Sequence, residues 1–149
     1  MKVILVPGLT AKAWTLQPLR SRLEAEGHEC WGAGFFVNLM VFGEYRSLLT
    51  TLERVGPAAV VGHSAGGMLA LAAARERPDL VTCVIGLGSA VAGRRSCPVP
   101  WFESRSLEGL LFPIRGPDEA RRFHAVPHAL LPIAGCVQDW VVEKLEGLK

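Results

Sequence analysis

Short apolar runs that alternate with stretches of helical periodicity constrain this chain more than any other feature. Val3, Ile4, Leu5 and Val6 form such a run, cut off by Pro7 and Gly8. A run without polar alternation suits a strand covered on both faces, as in the centre of a parallel sheet. Leu16, Leu19 and Leu23 then recur at helical spacing, and Gly27 supplies a stop. The alternation repeats. Residues 28–36 predict a second, weaker strand, and Tyr45, Leu48, Leu49, Leu52 and Val55 mark a helix ending before Gly56-Pro57. Residues 58–62 predict a third strand, residues 65–77 an Ala- and Leu-rich helix stopped by Pro78, and residues 81–87 a fourth strand.

Beyond Gly93, Pro98, Pro100, Pro113, Pro117, Pro127 and Pro132 punctuate shorter segments. The pattern there predicts a fifth strand over 101–106, a short helix over 117–122 and a sixth strand over 123–126. A closing helix over 137–148 carries Val137, Trp140, Val141, Leu145 and Leu148 on one face. Such an order implies an α/β fold with about six strands in a mostly parallel sheet and helices on both faces. With 149 residues, half of them apolar, the chain can bury one core, so a single domain over 1–149 is expected.

Composition narrows the partners. The formal charge of +2 is spread along the chain, with short basic pairs only at Arg94-Arg95 and Arg121-Arg122, so no footprint for nucleic acid is present. No run reaches the roughly 18 apolar residues needed to span a membrane. The apolar stretch from Val3 meets Pro7 too early for a signal-peptide core, so the expected location is the cytoplasm. Cys30, Cys83, Cys97 and Cys136 are widely spaced without a CxxC pair, and free thiols are expected. The sequence carries no signal for oligomeric state.

The residues with chemical content lie at the third strand's exit. In Val60-Val61-Gly62-His63-Ser64-Ala65-Gly66-Gly67, Gly62 and Gly66 bracket Ser64 in GxSxG spacing, between an apolar strand and a small-residue helix. A serine on such a sharp turn needs glycine two residues to either side, where a Cβ would collide with passing backbone. Its hydroxyl then stands at a helix N-terminus, where backbone N–H groups can receive a developing oxyanion. The competing reading, a phosphate-binding turn of the P-loop kind, lacks the Gly-Lys-Ser/Thr ending.

These motifs resemble the α/β-hydrolases, and among them the small lidless bacterial lipases and esterases. The resemblance covers nearly the whole chain. Val3-Ile4-Leu5-Val6-Pro7-Gly8-Leu9 looks like the strand and oxyanion loop that open the family core, with Pro7 where many members carry histidine, and Gly62 to Gly67 looks like the nucleophile elbow. The family's two leading strands have no counterpart, which leaves the six-stranded minimal core of its small members.

The resemblance implies partners in the order serine, acid, histidine. His63 lies within the elbow, His28 precedes the serine, and His124 falls inside the predicted last strand. His128 follows that strand and precedes Leu130-Leu131-Pro132, which matches the family's histidine loop. For the acid, Glu108 fits the slot after the fifth strand, although most members carry Asp there. Asp118 is the rival, leaving about ten residues for a helix and a strand before His128, and Asp139 is a more distant third. The implied oxyanion donors are the backbone N–H groups of Leu9 and Ala65, and such a triad needs no metal or organic cofactor.

Residues 35–42 are unusually apolar and lie at the sheet edge that carries Ser64; they read either as an acyl-chain wall or as core packing. Residues 93–100 leave room for at most a small flap, so an open site for short or medium acyl esters is expected. The resemblance thus implies a serine hydrolase of small-molecule carboxylic esters. Two alternatives stay open: a thioesterase or acyl hydrolase of a biosynthetic pathway, and a non-catalytic binding protein on the same fold.

Overall fold

The computed structural model describes residues 1–8, 13–32, 41–106 and 114–148. Six strands, β1 (Lys2–Val6), β2 (Glu29–Gly32), β3 (Ala58–His63), β4 (Val81–Leu87), β6 (Trp101–Arg105) and β8 (Glu119–Arg122), form one sheet in the order β2-β1-β3-β4-β6-β8. Every neighbouring pair in it is parallel. Two further short strands, β5 (Gly93–Arg94) and β7 (Ile114–Arg115), pair with each other apart from it.

Apolar residues on both faces of β1, β3 and β4 place those strands at the centre. Val3, Leu5, Val61, Ile85 and Leu87 pack against α1 (Gln17–Ala25) and α4 (Gly135–Glu146) through Leu19, Leu23, Val137, Trp140, Val141 and Leu145. On the opposite face Ile4, Val6, Val60, Val84 and Trp101 meet α2 (Val41–Val55) and α3 (Ala65–Glu76) through Leu48, Leu52, Leu69 and Ala73. The chain therefore forms the doubly covered parallel sheet that its alternating pattern predicts. In such a sheet the strand C-termini share one edge, and Ser64, just after β3, stands on it.

The last third departs from the sequence reading. Residues 119–122, expected as helix, form β8, and residues 123–126, expected as strand, form a turn that exposes His124. The cause is edge position. The Glu-Ala-Arg-Arg of β8 lies at the sheet border, where a strand needs no apolar face and charges protect against edge-to-edge pairing. It pairs with β6 alone, while Glu119 accepts hydrogen bonds from Trp140 Nε1 (3.2 Å) and Lys144 Nζ (2.6 Å) of α4. All four cysteines are unpaired, and no described helix is long and apolar enough to cross a membrane.

Candidate active site

Ser64 is the single non-glycine residue with positive φ among the described residues (φ 53°, ψ −118°). Such a conformation costs on the order of 1–3 kcal/mol and persists only where its surroundings fix it. Ser64 N–H donates to Leu87 O (3.0 Å), and Ser64 O accepts from Gly67 N–H (3.1 Å) and Ala90 N–H (3.0 Å). The bracketing glycines are sterically required. A Cβ on Gly62 would lie 2.4 Å from the Gly66 carbonyl, and one on Gly66 would lie 2.2 Å from Val6 O and 2.7 Å from Pro7 O. These obstacles are backbone atoms, so no rotamer change relieves them.

The exit of β1 passes beside the same turn, where a Cβ on Gly8 would touch Ser64 Cβ at 3.1 Å. Ala65 opens α3 directly after Ser64, and the first N–H groups of a helix have no partner within it. Leu9, the other expected oxyanion donor, lies outside the described residues, as does Glu108. The apolar stretch at 35–42 also falls largely outside them.

His128 begins a 3-10 turn, His128–Leu130, directly after Pro127 and is half-buried. Its imidazole rests on Gly88, where an added Cβ would stand 2.6 Å from Nδ1 and 2.8 Å from Cε1. The turn at 87–90 therefore carries both groups: it holds the backbone of Ser64 by two hydrogen bonds and supports the ring of His128. His124, by contrast, is exposed.

His63 links the two from the other side. Its Nε2–H donates to the His128 carbonyl (3.0 Å), and the two rings lie 5.0 Å apart between centroids. Because a carbonyl only accepts, this bond places the proton of a neutral His63 on Nε2. Burial pushes the His63 imidazole below its ordinary value, and the nearby His128 adds to this against the opposing effect of the hydrogen bond.

The structure separates the rival carboxylates from this edge. Asp118 Oδ2 accepts from Trp101 N–H (2.7 Å), and Asp118 N–H donates to Trp101 O (2.7 Å). Trp101 opens β6 and Asp118 directly precedes β8, so Asp118 sits at the strand N-termini, the edge opposite Ser64. Asp139 lies exposed on α4 against Arg22 (3.3 Å).

A carboxylate that sequence reasoning missed lies beneath the site. Glu103 is 0% exposed in the middle of β6, on the face shared with Trp101. It accepts from Ser89 N–H (2.7 Å), Ser89 Oγ–H (2.8 Å) and Trp101 Nε1–H (3.3 Å). Burial raises its carboxyl above the usual range, opposed by the two Ser89 donors, the Arg105 charge and Trp101. The available signal was a glycine, Gly86, inside an apolar strand: a Cβ there would fall 2.0 Å from Glu103 Oε2.

The family model described as alpha/beta hydrolase fold matches residues 51–129, just over half of the chain, from α2 through His128. No curated protein sequence matches. Among solved structures, a methylesterase from Arabidopsis aligns with a TM-score of 0.77 at 13% identity, over 98% of this chain and 99% of that one. Mouse alpha/beta hydrolase domain-containing protein 10 gives a TM-score of 0.78 at 16% identity, over 99% and 88% of the two chains. The monoacylglycerol lipase of Paleococcus ferrophilus gives 0.74 at 13%, over 99% and 93%. At these identities the likeness is one of fold.

Proposed function

Since the chain belongs to the α/β-hydrolase family, we propose that it is a serine hydrolase of small-molecule carboxylic esters, with Ser64 as nucleophile, His128 as general base and Glu108 as the acid. The observation that carries this reading is the strained backbone of Ser64, held at the β3–α3 turn by Leu87, Ala90 and Gly67 and walled by glycines that admit no Cβ. Strained residues held in place by their surroundings cluster at functional sites.

In this mechanism His128 takes the Ser64 proton as the hydroxyl attacks the acyl carbon, then returns it to the leaving alcohol. Water, activated by the same imidazole, releases the acid from the acyl-enzyme. The N–H groups of Ala65 and Leu9 stabilise the oxyanion, each such donor being typically worth about 2.7–4 kcal/mol. Glu108 fixes the imidazole tautomer and offsets the imidazolium charge. An ester rather than a thioester substrate is favoured by the names of structural neighbours, which include a methylesterase and a monoacylglycerol lipase. Four unpaired cysteines fit the reducing cytoplasm.

Fluorophosphonate labelling, read by peptide mass spectrometry alongside p-nitrophenyl ester turnover, tests the assignment. Wild type should carry the label on Ser64 and turn over the ester, and Ser64→Ala should lose both while its melting curve stays cooperative. A folded wild type that neither labels nor turns over would leave the non-catalytic binding protein as the better reading.

A further inference from the structure

The Glu103 carboxylate takes no part in the reaction proposed above, and it lies on the sheet face of Trp101, among Gly86 and Ser89, while His128 packs beside Leu131 of the other face. A carboxylate removed from water in mid-strand is costly unless hydrogen-bonded, and a hydrophobic residue would fill the space without that cost. Among the described residues, the hydrogen bonds it accepts come from Ser89 and Trp101, and the Ser89 pair is bidentate, through backbone N–H and hydroxyl together. Ser89 lies in the 87–90 turn. Its neighbours on one side are Leu87, which accepts from Ser64 N–H, and Gly88, which supports the His128 ring; on the other side Ala90 donates to Ser64 O. Ser89 Oγ also closes against α3, since a Cβ on Gly67 would stand 2.0 Å from it.

We propose that Glu103 is a positioning residue: by gripping Ser89 at two points it fixes the 87–90 turn, and through that turn the mutual placement of Ser64 and His128. The inference rests on the Ser64–His128 reading for its catalytic consequence, although not for the anchoring itself. Among the described residues the turn is also tied to β6 by the bond from Gly88 N–H to Ser104 O at 2.8 Å. Without Glu103 the turn keeps that bond and its two bonds to Ser64 but loses the two-point hold on Ser89 between them, and displacements below 1 Å at a reacting pair are enough to cost on the order of tenfold to a hundredfold in rate.

Three variants and two readouts test this. Glu103→Gln keeps the side-chain volume but replaces one acceptor oxygen with an NH2 that faces Trp101 Nε1–H or a Ser89 donor. Ser89→Ala removes the hydroxyl arm and keeps the backbone arm. Val84→Ala, in the buried cluster that includes Trp101, supplies a comparable loss of core stability without touching the turn. Amide hydrogen exchange by NMR should accelerate at Ser89 and Ala90 at least tenfold in Glu103→Gln, but not in Val84→Ala. In steady-state ester hydrolysis, kcat should fall about tenfold or more in Glu103→Gln with KM within twofold. The double variant with Ser89→Ala should be little worse than the more damaging single, because both cut one link. Unchanged exchange at Ser89 and Ala90, or a kcat loss no larger than that of Val84→Ala, would overturn the positioning role in an active enzyme. A wild type that is inert toward ester and fluorophosphonate instead overturns the hydrolase reading, and with it the catalytic consequence, while the exchange result still decides whether Glu103 anchors the turn.

Discussion

Gly88→Ala probes the placement of His128 without altering any reacting group. Gly88 has φ of +64°, and an alanine Cβ there would stand 2.6 Å from His128 Nδ1 and 2.9 Å from Leu131 Cδ1, where ordinary contact begins at 3.4 Å. The backbone has little freedom to withdraw, because Gly88 N–H is bonded to Ser104 O at 2.8 Å. The imidazole must therefore retreat by about 0.8 Å, a displacement that costs on the order of 100-fold in kcat for a general base. The left-handed backbone adds a stability loss of about 1–2 kcal/mol, unrelated to the ring. Gly27→Ala separates the two effects, since Gly27 has φ of +80° and nothing within 4 Å of an added Cβ. Thermal melts should show both variants destabilised by the backbone, Gly88→Ala further because its Cβ also crowds Leu131 and the ring. Steady-state hydrolysis of p-nitrophenyl acetate should show the kcat loss in Gly88→Ala alone, with a parallel drop in the rate of fluorophosphonate labelling. A folded Gly88→Ala protein with wild-type kcat and labelling rate would refute the placement of His128 as the base.

Other consequences concern the nucleophile, the acid and pH. Ser64→Gly should be inactive yet melt higher than Ser64→Ala, by about 1 kcal/mol of stability, because glycine tolerates the φ of 53° that alanine does not; the reverse order in denaturant titrations would mean the turn is not strained. Glu108→Gln should lower kcat by up to about 10⁴-fold. Asp118→Asn should leave kcat intact while weakening the acceptor for Trp101 N–H, at about 1–3 kcal/mol of stability, so a crippled Asp118→Asn enzyme would invert the assignment. Exposed His124 can likewise be replaced by alanine at little cost in ester turnover, whereas His128→Ala should approach the loss of Ser64→Ala. Because burial depresses the imidazole of His63, the unfolded chain takes up its proton first as pH falls below the ordinary 6.5. Stability is then present above that value and lost below it, at up to about 1.4 kcal/mol per pH unit. His63→Gln should flatten that decline in melts recorded against pH, and an identical decline would assign it to other groups.

What the sequence determined by itself were the features encoded in local pattern. The runs at 3–6, 58–62 and 81–87 are almost wholly apolar and suit central strands covered on both faces, and Gly62 and Gly66 bracket Ser64 where an added Cβ would strike backbone. Those two facts located the sheet centre and the expected nucleophile. Tertiary structure decided whatever depends on sheet position or on opposite ends of the chain meeting. Glu119–Arg122 has no strand pattern because an edge strand is half solvated, and its pairing with β6 is legible only once β6 is in place. Asp118 is a rival acid by its place in the sequence, yet it directly precedes β8 in a parallel sheet and so lies at the strand N-termini beside Trp101, away from Ser64. Glu103 reads as one polar residue in a short strand; its burial under Ser89 exists only because β4 and β6 lie side by side and Gly86 leaves the space. A linear pattern records each residue's own backbone preference, whereas the partner of a buried charge is fixed by packing between segments distant in sequence.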